Sequence, residues 1–192
     1  MDNTKIFTKI YDKKIWAMGK NVPLSGRGSS LKYNKDYLPF LQHFIEPYAH
    51  ILDIGCGDWT VSSQLDLSGK NYTGVDCVES VIENNKSKYQ TESIKFICKD
   101  IVKGLDYNGY DLIIIKDVLQ HLSNEDIISI LDSLPKVPIL IVNAISKIEK
   151  ERSVKNYYHY SPLNFKHYPL SKYNIKPIFQ YKFKEVGVIN LL

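Results

Sequence analysis

The segment Ile51-Leu52-Asp53-Ile54-Gly55-Cys56-Gly57-Asp58-Trp59 runs an apolar strand into a glycine turn and then into a polar stretch. Glycines at 55 and 57 let the backbone reverse sharply and let a ligand lie against the main chain, at the carboxyl edge where open α/β sheets bind ligands. Asp53, just before them, would repel a pyrophosphate but can pair with an ammonium group. The third glycine of a dinucleotide fingerprint would fall at position 60, which is Thr60, so a nicotinamide cofactor is the weakest reading. Asp76 ends the next apolar run, where a carboxylate can take both hydroxyls of a ribose. Asp100 follows the third run and can accept from the exocyclic amine of adenine, while Asp117 closes the fourth. Four carboxylates at successive strand ends point to one cationic, adenosine-bearing ligand. The same side chains could instead cap helices, which is the competing structural reading for Asp76 and Asp100.

Two further residues could act on a second substrate. His121 lies in the short turn after the fourth run, ahead of the cap Ser123-Asn124-Glu125, and its ordinary pKa near neutrality suits a general base. Lys116 ends that same run. Arg27, in the loop Ser25-Gly26-Arg27-Gly28-Ser29-Ser30, is one of only two arginines and could close with backbone N–H groups over a carboxylate or phosphate. The stretch 147–174 carries Tyr157, Tyr158, His159, Tyr160, Phe165, His167, Tyr168 and Tyr173, an aromatic content that suits either a substrate cleft or packing of the N-terminal segment. His159 and His167 are reserve candidates for a base. No spacing supports a metal site, and Cys56, Cys77 and Cys98 read as inert strand or turn residues.

These residues need a scaffold that brings strand ends together. Apolar runs at Ile51–Ile54, Tyr72–Val75, Ile94–Cys98, Asp111–Ile115 and Ile139–Val142 alternate with helical spacings at Trp59–Leu65, Val78–Tyr89 and Asn124–Leu134. That alternation predicts a three-layer α/β fold with a parallel sheet covered on both faces. Ile178–Phe183 and Val186–Leu191 predict a terminal antiparallel hairpin. Residues 1–20 predict a short amphipathic helix with Phe7, Tyr11 and Trp16. A second helix follows in 32–48, beginning near Asp36 so that Pro39 falls in its first turn. The expected organisation is a single domain over 1–192: arm and helix at 1–49, cofactor core at 50–143, aromatic substrate loop at 144–174 and hairpin at 175–192.

Composition agrees with one globular domain of 192 residues, 44% hydrophobic and 24% charged. A net charge of +4, spread as single lysines, argues against a duplex nucleic-acid partner. Few scattered cysteines, no apolar run of membrane-spanning length and no signal-like N-terminus predict a cytoplasmic protein without a membrane contact.

Taken together, LDIGCGD (52–58), GVD (74–76), KD (99–100) and DLIIIKDVLQHL (111–122) resemble the class I S-adenosylmethionine-dependent methyltransferases. Trp16, SGRGSS (25–30) and KDVLQHLSNEDI look similar to a narrower group found in capsule and surface-glycan gene sets of bacteria and giant viruses. The resemblance implies a Rossmann-like methyltransferase fold of seven strands, and S-adenosylmethionine as cofactor. It implies that Asp53, Gly55 and Gly57 hold the cofactor's amino-acid end, that Asp76 holds the ribose, and that Asp100 and Ile101 flank adenine. Lys116 would then face the methionine moiety or the substrate. Asp58 departs from the pattern, since many members have a glycine there. The narrower similarity implies O-methylation of a small carbohydrate or phosphorylated acceptor. An RNA or nucleotide methyltransferase, or a non-catalytic cofactor-binding partner, are the alternatives.

Overall fold

The computed structural model describes residues 2–146, 153–156 and 159–190. Tyr157 and Tyr158, expected in the aromatic loop, lie outside the described residues.

Seven strands form one sheet: β1 (His50–Ile54), β2 (Asn71–Asp76), β3 (Ile94–Cys98), β4 (Leu112–Lys116), β5 (Ile139–Ala144), β6 (Lys176–Tyr181) and β7 (Lys184–Ile189). Their spatial order is β3-β2-β1-β4-β5-β7-β6. The first five are mutually parallel, β7 runs antiparallel to β5, and β6 pairs antiparallel to β7. The mostly parallel, Rossmann-like sheet with a terminal hairpin is therefore as expected. Parallel strands need crossovers, and right-handed crossovers place helices on both faces.

Among the described residues there are four α-helices: α1 (Asn3–Asp12), α2 (Tyr37–Phe44), α3 (Glu79–Tyr89) and α4 (Asn124–Ser133). Alternate strand residues point to opposite faces. Ile51, Tyr72, Ile114, Leu140 and Val186 meet Tyr37 and Leu41 of α2 and Ile82 of α3, whereas Leu52, Val75, Ile113 and Ile141 meet Ile127, Ile130 and Leu131 of α4. Asp36 is the residue preceding α2, so Pro39 does sit in the first turn, where its missing N–H costs nothing. Ser123 Oγ accepts from the Asp126 N–H at 3.1 Å, the cap expected for α4.

One expected helix is absent. Trp59–Leu65 contains only a single 3₁₀ turn, Ser62–Gln64. Trp59 has φ of 57°, in the left-handed region, which breaks the helical path but lets the indole bury against Tyr72, Tyr89 and Phe96. Asp58 Oδ1 also accepts from the Thr60 N–H and hydroxyl at 3.4 and 3.0 Å, holding the turn in a non-helical form. The described residues 159–175 are likewise more structural than their aromatic content suggested. Phe165 is buried against the sheet, and the Tyr173 hydroxyl donates to Asp132 at 2.8 Å.

Phe165 fits only because β7 carries Gly187: a Cβ there would lie 2.5 Å from Phe165 Cε2 and 2.6 Å from Ile175 Cγ2. Gly187→Ala should therefore destabilise the fold by about 1–3 kcal/mol through overpacking. Urea unfolding measures this, and an unchanged midpoint would mean that Phe165 is not packed on the sheet as described.

Candidate functional site

One cavity of about 740 Å³ runs along the carboxyl edge of the parallel strands, within the size range of small-molecule sites. Ten of the residues singled out from the sequence line it: Arg27, Asp53, Gly55, Gly57, Asp76, Asp100, Ile101, Lys116, Asp117 and His121. The geometry assigns each a local setting.

Asp53 is 4% exposed, on the face of β1 shared with Ile51. Its Oδ2 accepts from the Ser62 hydroxyl at 3.0 Å and from the Tyr72 hydroxyl. Burial raises its pKa, against the lowering effect of those hydrogen bonds and of Lys116. Asp76 accepts from the Gly57 N–H and the Val78 N–H, each at 3.1 Å, so it ties the glycine turn to the end of β2. Burial nevertheless pushes its carboxyl up to about 6. Asp100 caps the 3₁₀ turn Ile101–Lys103 by accepting from the Val102 N–H at 3.2 Å. Its other oxygen lies 3.7 Å from Lys103 Nζ. At Asp76 and Asp100 each carboxylate uses part of its acceptor capacity on the backbone and still borders the cavity.

Gly55 and Gly57 serve the chain's own packing as well as the cavity. Both have positive φ, and a Cβ would meet Val118 Cγ2 at 2.2 Å and Ser25 Oγ at 2.3 Å, respectively. The Ser25 contact reveals a latch that the sequence did not disclose. Ser25 Oγ accepts from the Asp58 N–H at 2.9 Å, and Asp58 Oδ2 accepts from the Ser25 N–H at 3.1 Å. Tyr11 of α1 joins through a 2.8 Å hydroxyl contact to Ser25. Asp58, out of place as a lost glycine, is thereby explained: it fastens the N-terminal arm over the glycine turn.

The SGRGSS loop is an ordered strap. Asn34 donates to the Gly28 and Ser30 carbonyls at 2.7 and 2.8 Å and accepts from the Tyr181 hydroxyl at 3.1 Å. The expected anion nest is largely spent internally, since the N–H groups of Gly26, Ser29 and Ser30 bond to carbonyls of Pro23, Gly26 and Arg27. Arg27 itself is exposed and makes no ion pair with a described residue.

At the other end stands a charged trio. Lys116 donates to Asp117 Oδ2 at 2.6 Å, and Lys184 of β7 bonds to the same oxygen and to the Gly28 carbonyl at 3.1 Å. Burial opposes ionisation of Asp117, but the two ammonium groups outweigh it and hold the carboxyl well below its usual range. Lys184 was not anticipated. Its sequence signal is slight: it precedes the expected strand Val186–Leu191, in register with the buried Val186 and Val188 of β7.

His121 Nδ1 lies 2.7 Å from the His159 carbonyl. A carbonyl only accepts, so Nδ1 carries the proton, and a neutral ring has its lone pair on Nε2. The imidazole packs on Trp16 at 4.6 Å between ring centroids and on Tyr160 at 5.7 Å. Phe7 approaches from α1. Tyr160 lines the cavity, while His159 is buried beside Phe7, with its pKa lowered by burial. His167 and Tyr168 do not line the cavity.

Residues 51–137 match the family model described as a methyltransferase domain. Among curated proteins, the chain is 36% identical over 75 residues to a ubiquinone biosynthesis O-methyltransferase of Coxiella burnetii, covering 38% of this chain and 32% of that protein. It is 27% identical over 105 residues to the Rickettsia bellii protein of the same name, covering 52% and 43%. The chain thus spans less than half the length of these relatives. Among solved structures, magnesium protoporphyrin IX methyltransferase from Synechocystis PCC 6803 with bound SAH superposes with a TM-score of 0.68 at 13% identity, over 98% of this chain and 100% of that one. The methyltransferase domain of a bacterial Hen1 protein gives 0.62 at 18% identity, over 83% and 100%. The fold is the Rossmann-like methyltransferase fold. The family-model match covers residues 51–137, less than half of the chain. No described helix is long and apolar enough to cross a membrane.

Ser25→Ala removes the two latch hydrogen bonds made by its hydroxyl, to the Asp58 N–H and to Tyr11, and keeps the backbone N–H bond to Asp58. Amide exchange in 3–12 should accelerate, and stability should fall by about 1–2 kcal/mol, while protection in β1 and β4 persists. Unchanged exchange in the arm would show that the latch does not hold it.

Proposed function

We propose that the protein is an S-adenosylmethionine-dependent O-methyltransferase acting on a small polar acceptor. The observation that carries this reading is the row of carboxylates, one at the end of each of four adjacent parallel strands, bordering a single cavity. Such a row suits a ligand with sulfonium and ammonium charges and sugar hydroxyls, and it would repel a dinucleotide. Asp76 takes the ribose hydroxyls, Asp100 and Ile101 flank adenine, and Asp53 with the Gly55–Gly57 turn receives the amino-acid end. Arg27, exposed at the wall, is placed to meet the cofactor carboxylate.

The bound cofactor supplies an activated methyl group, which the acceptor oxygen takes as its bond to sulfur breaks. The protein's task is then alignment and removal of one proton. His121 Nε2 takes that proton from the acceptor hydroxyl, with Nδ1–H anchored on the His159 carbonyl and the ring held by Trp16. Lys116 and Asp117 border the same end of the cavity and orient the acceptor. The relatives' names support oxygen as the accepting atom. The similarity of SGRGSS and KDVLQHLSNEDI to surface-glycan methyltransferases makes a sugar hydroxyl, or a phosphate-type group on a sugar, the first acceptor class to try, with ubiquinone-type acceptors as the second.

Calorimetric titration should show saturable binding of S-adenosylhomocysteine and none of NAD. Asp76→Asn should weaken it at least tenfold, as about 1–3 kcal/mol of charge-assisted hydrogen bonding is lost. The ribose needs the ionised carboxylate, whose pKa in the free protein is raised to about 6. Affinity should therefore climb as pH rises from 5 to 7, and Asp76→Asn should flatten that climb. Binding of NAD in preference, or an Asp76→Asn variant with undiminished affinity, would contradict the assignment. Once an acceptor turns over, His121→Ala should cut kcat by about 10²–10⁴ and leave cofactor affinity intact; undiminished turnover would remove His121 as the base.

A further inference from the structure

Lys184 is the most deeply buried charged group of the cavity wall, with a side chain 3% exposed. It shares a single carboxylate oxygen, Asp117 Oδ2, with Lys116, whose side chain is 12% exposed. Among the described residues no second carboxylate lies within ion-pair distance of either ammonium group. The groups packed around Lys184 are otherwise the Gly28 carbonyl and the rings of Tyr33 and Tyr181, at 5.3 and 5.8 Å. Two cations therefore face one anion in a setting that excludes most water, and a surplus positive charge there is costly until an anion arrives. Burial, with Lys116 adding to it against the pull of Asp117, brings the Lys184 ammonium down to about 7.

Sheet order locates this surplus. β7 lies beyond β4 and β5, on the side opposite β2 and β3, but the Lys184 ammonium reaches Asp117 at the end of β4, two strand spacings of about 4.8 Å each from the Asp76 end of β2. If adenosine lies at Asp76 and Asp100 and the amino-acid end at the glycine turn, as proposed above, the Lys184 end of the cavity remains for the acceptor. The aromatic groups Trp16, His121 and Tyr160 line the same cavity and give the acceptor's body an apolar wall.

We propose that Lys184, with Lys116, forms an oxyanion subsite that selects methyl acceptors carrying a carboxylate or phosphate group beside the reacting hydroxyl. The inference rests on the cofactor reading only for the name of the ligand, because the anion site can be tested without cofactor.

The experiment titrates inorganic phosphate and, separately, acetate into the whole protein by calorimetry at constant ionic strength, with and without saturating S-adenosylhomocysteine. Saturable binding of at least one anion is expected in both conditions, and the preferred anion distinguishes a phosphate from a carboxylate acceptor. Lys184→Met should weaken it at least tenfold, Lys184→Arg should largely restore it, and Lys176→Met on exposed β6 should leave it unchanged. S-adenosylhomocysteine affinity should be the same in all three variants. Should Lys184→Met fail to fold, lysine ¹³Cε titration of the wild-type protein replaces it: phosphate or acetate should raise the pKa of one lysine that titrates anomalously low. No saturable anion binding, equal binding by Lys184→Met, or no lysine shift would overturn the proposal. So would displacement of the anion by S-adenosylhomocysteine together with weaker cofactor binding in Lys184→Met, since the lysines would then serve the cofactor's carboxylate. Failure of S-adenosylhomocysteine to bind wild-type protein would instead strike the cofactor reading and leave the anion result to stand by itself.

Discussion

Carboxylates taken out of bulk water at the carboxyl edge of a parallel sheet are expensive unless each finds hydrogen-bond donors, a cation, or a ligand that brings one. Asp53, Asp76, Asp100 and Asp117 meet that requirement with hydroxyls, backbone N–H groups or lysines. Asp53 uses the hydroxyls of Ser62 and Tyr72, Asp76 uses backbone N–H groups, Asp100 caps a short turn, and Asp117 takes two lysines. The partners differ in what they leave behind. Neutral donors leave Asp53 and Asp76 with raised pKa values and an appetite for positive charge, whereas at Asp117 the balance is reversed and positive charge is in excess. The cavity is thus acidic along β1 and β2 and basic near β7, a polarity that matches a cationic cofactor at one end and an anionic acceptor at the other.

Elements outside the parallel core close this cavity. The arm reaches it through Phe7, Tyr11 and Trp16, and the Ser25–Asp58 latch sets the arm on the glycine turn. The hairpin contributes Lys184 and, through Tyr181, holds Asn34 and hence the Gly28 strap. The hairpin is far along the chain from the arm and the strap yet is bonded to the strap, which in turn holds the arm, so this end of the cavity is built cooperatively.

The half of the cavity proposed for the cofactor was legible in the sequence because its residues are local. Strand–turn–helix order fixes where Gly55, Gly57, Asp76 and Asp100 must fall, and apolar runs of four to six residues declare a buried parallel sheet. The acceptor half was not, because it depends on long-range pairing. Lys184 reads as a surface lysine until β7 is paired with β5, and Ser25 reads as loop until it meets Asp58. The missing helix after the glycine turn has the same origin: burial of Trp59 among Tyr72, Tyr89 and Phe96 overrides a helical spacing with weak local support. Tyr173 and Phe165 show the opposite error, aromatic residues whose composition suggested a substrate cleft but whose contacts are structural.

A crystal structure with S-adenosylhomocysteine tests the central assignment most directly. The account predicts adenosine between the ends of β2 and β3, hydroxyls on Asp76, and the sulfur turned towards the space bordered by His121 and Lys116. Adenosine seated at the Lys184 end, or a ligand outside this cavity altogether, would contradict it.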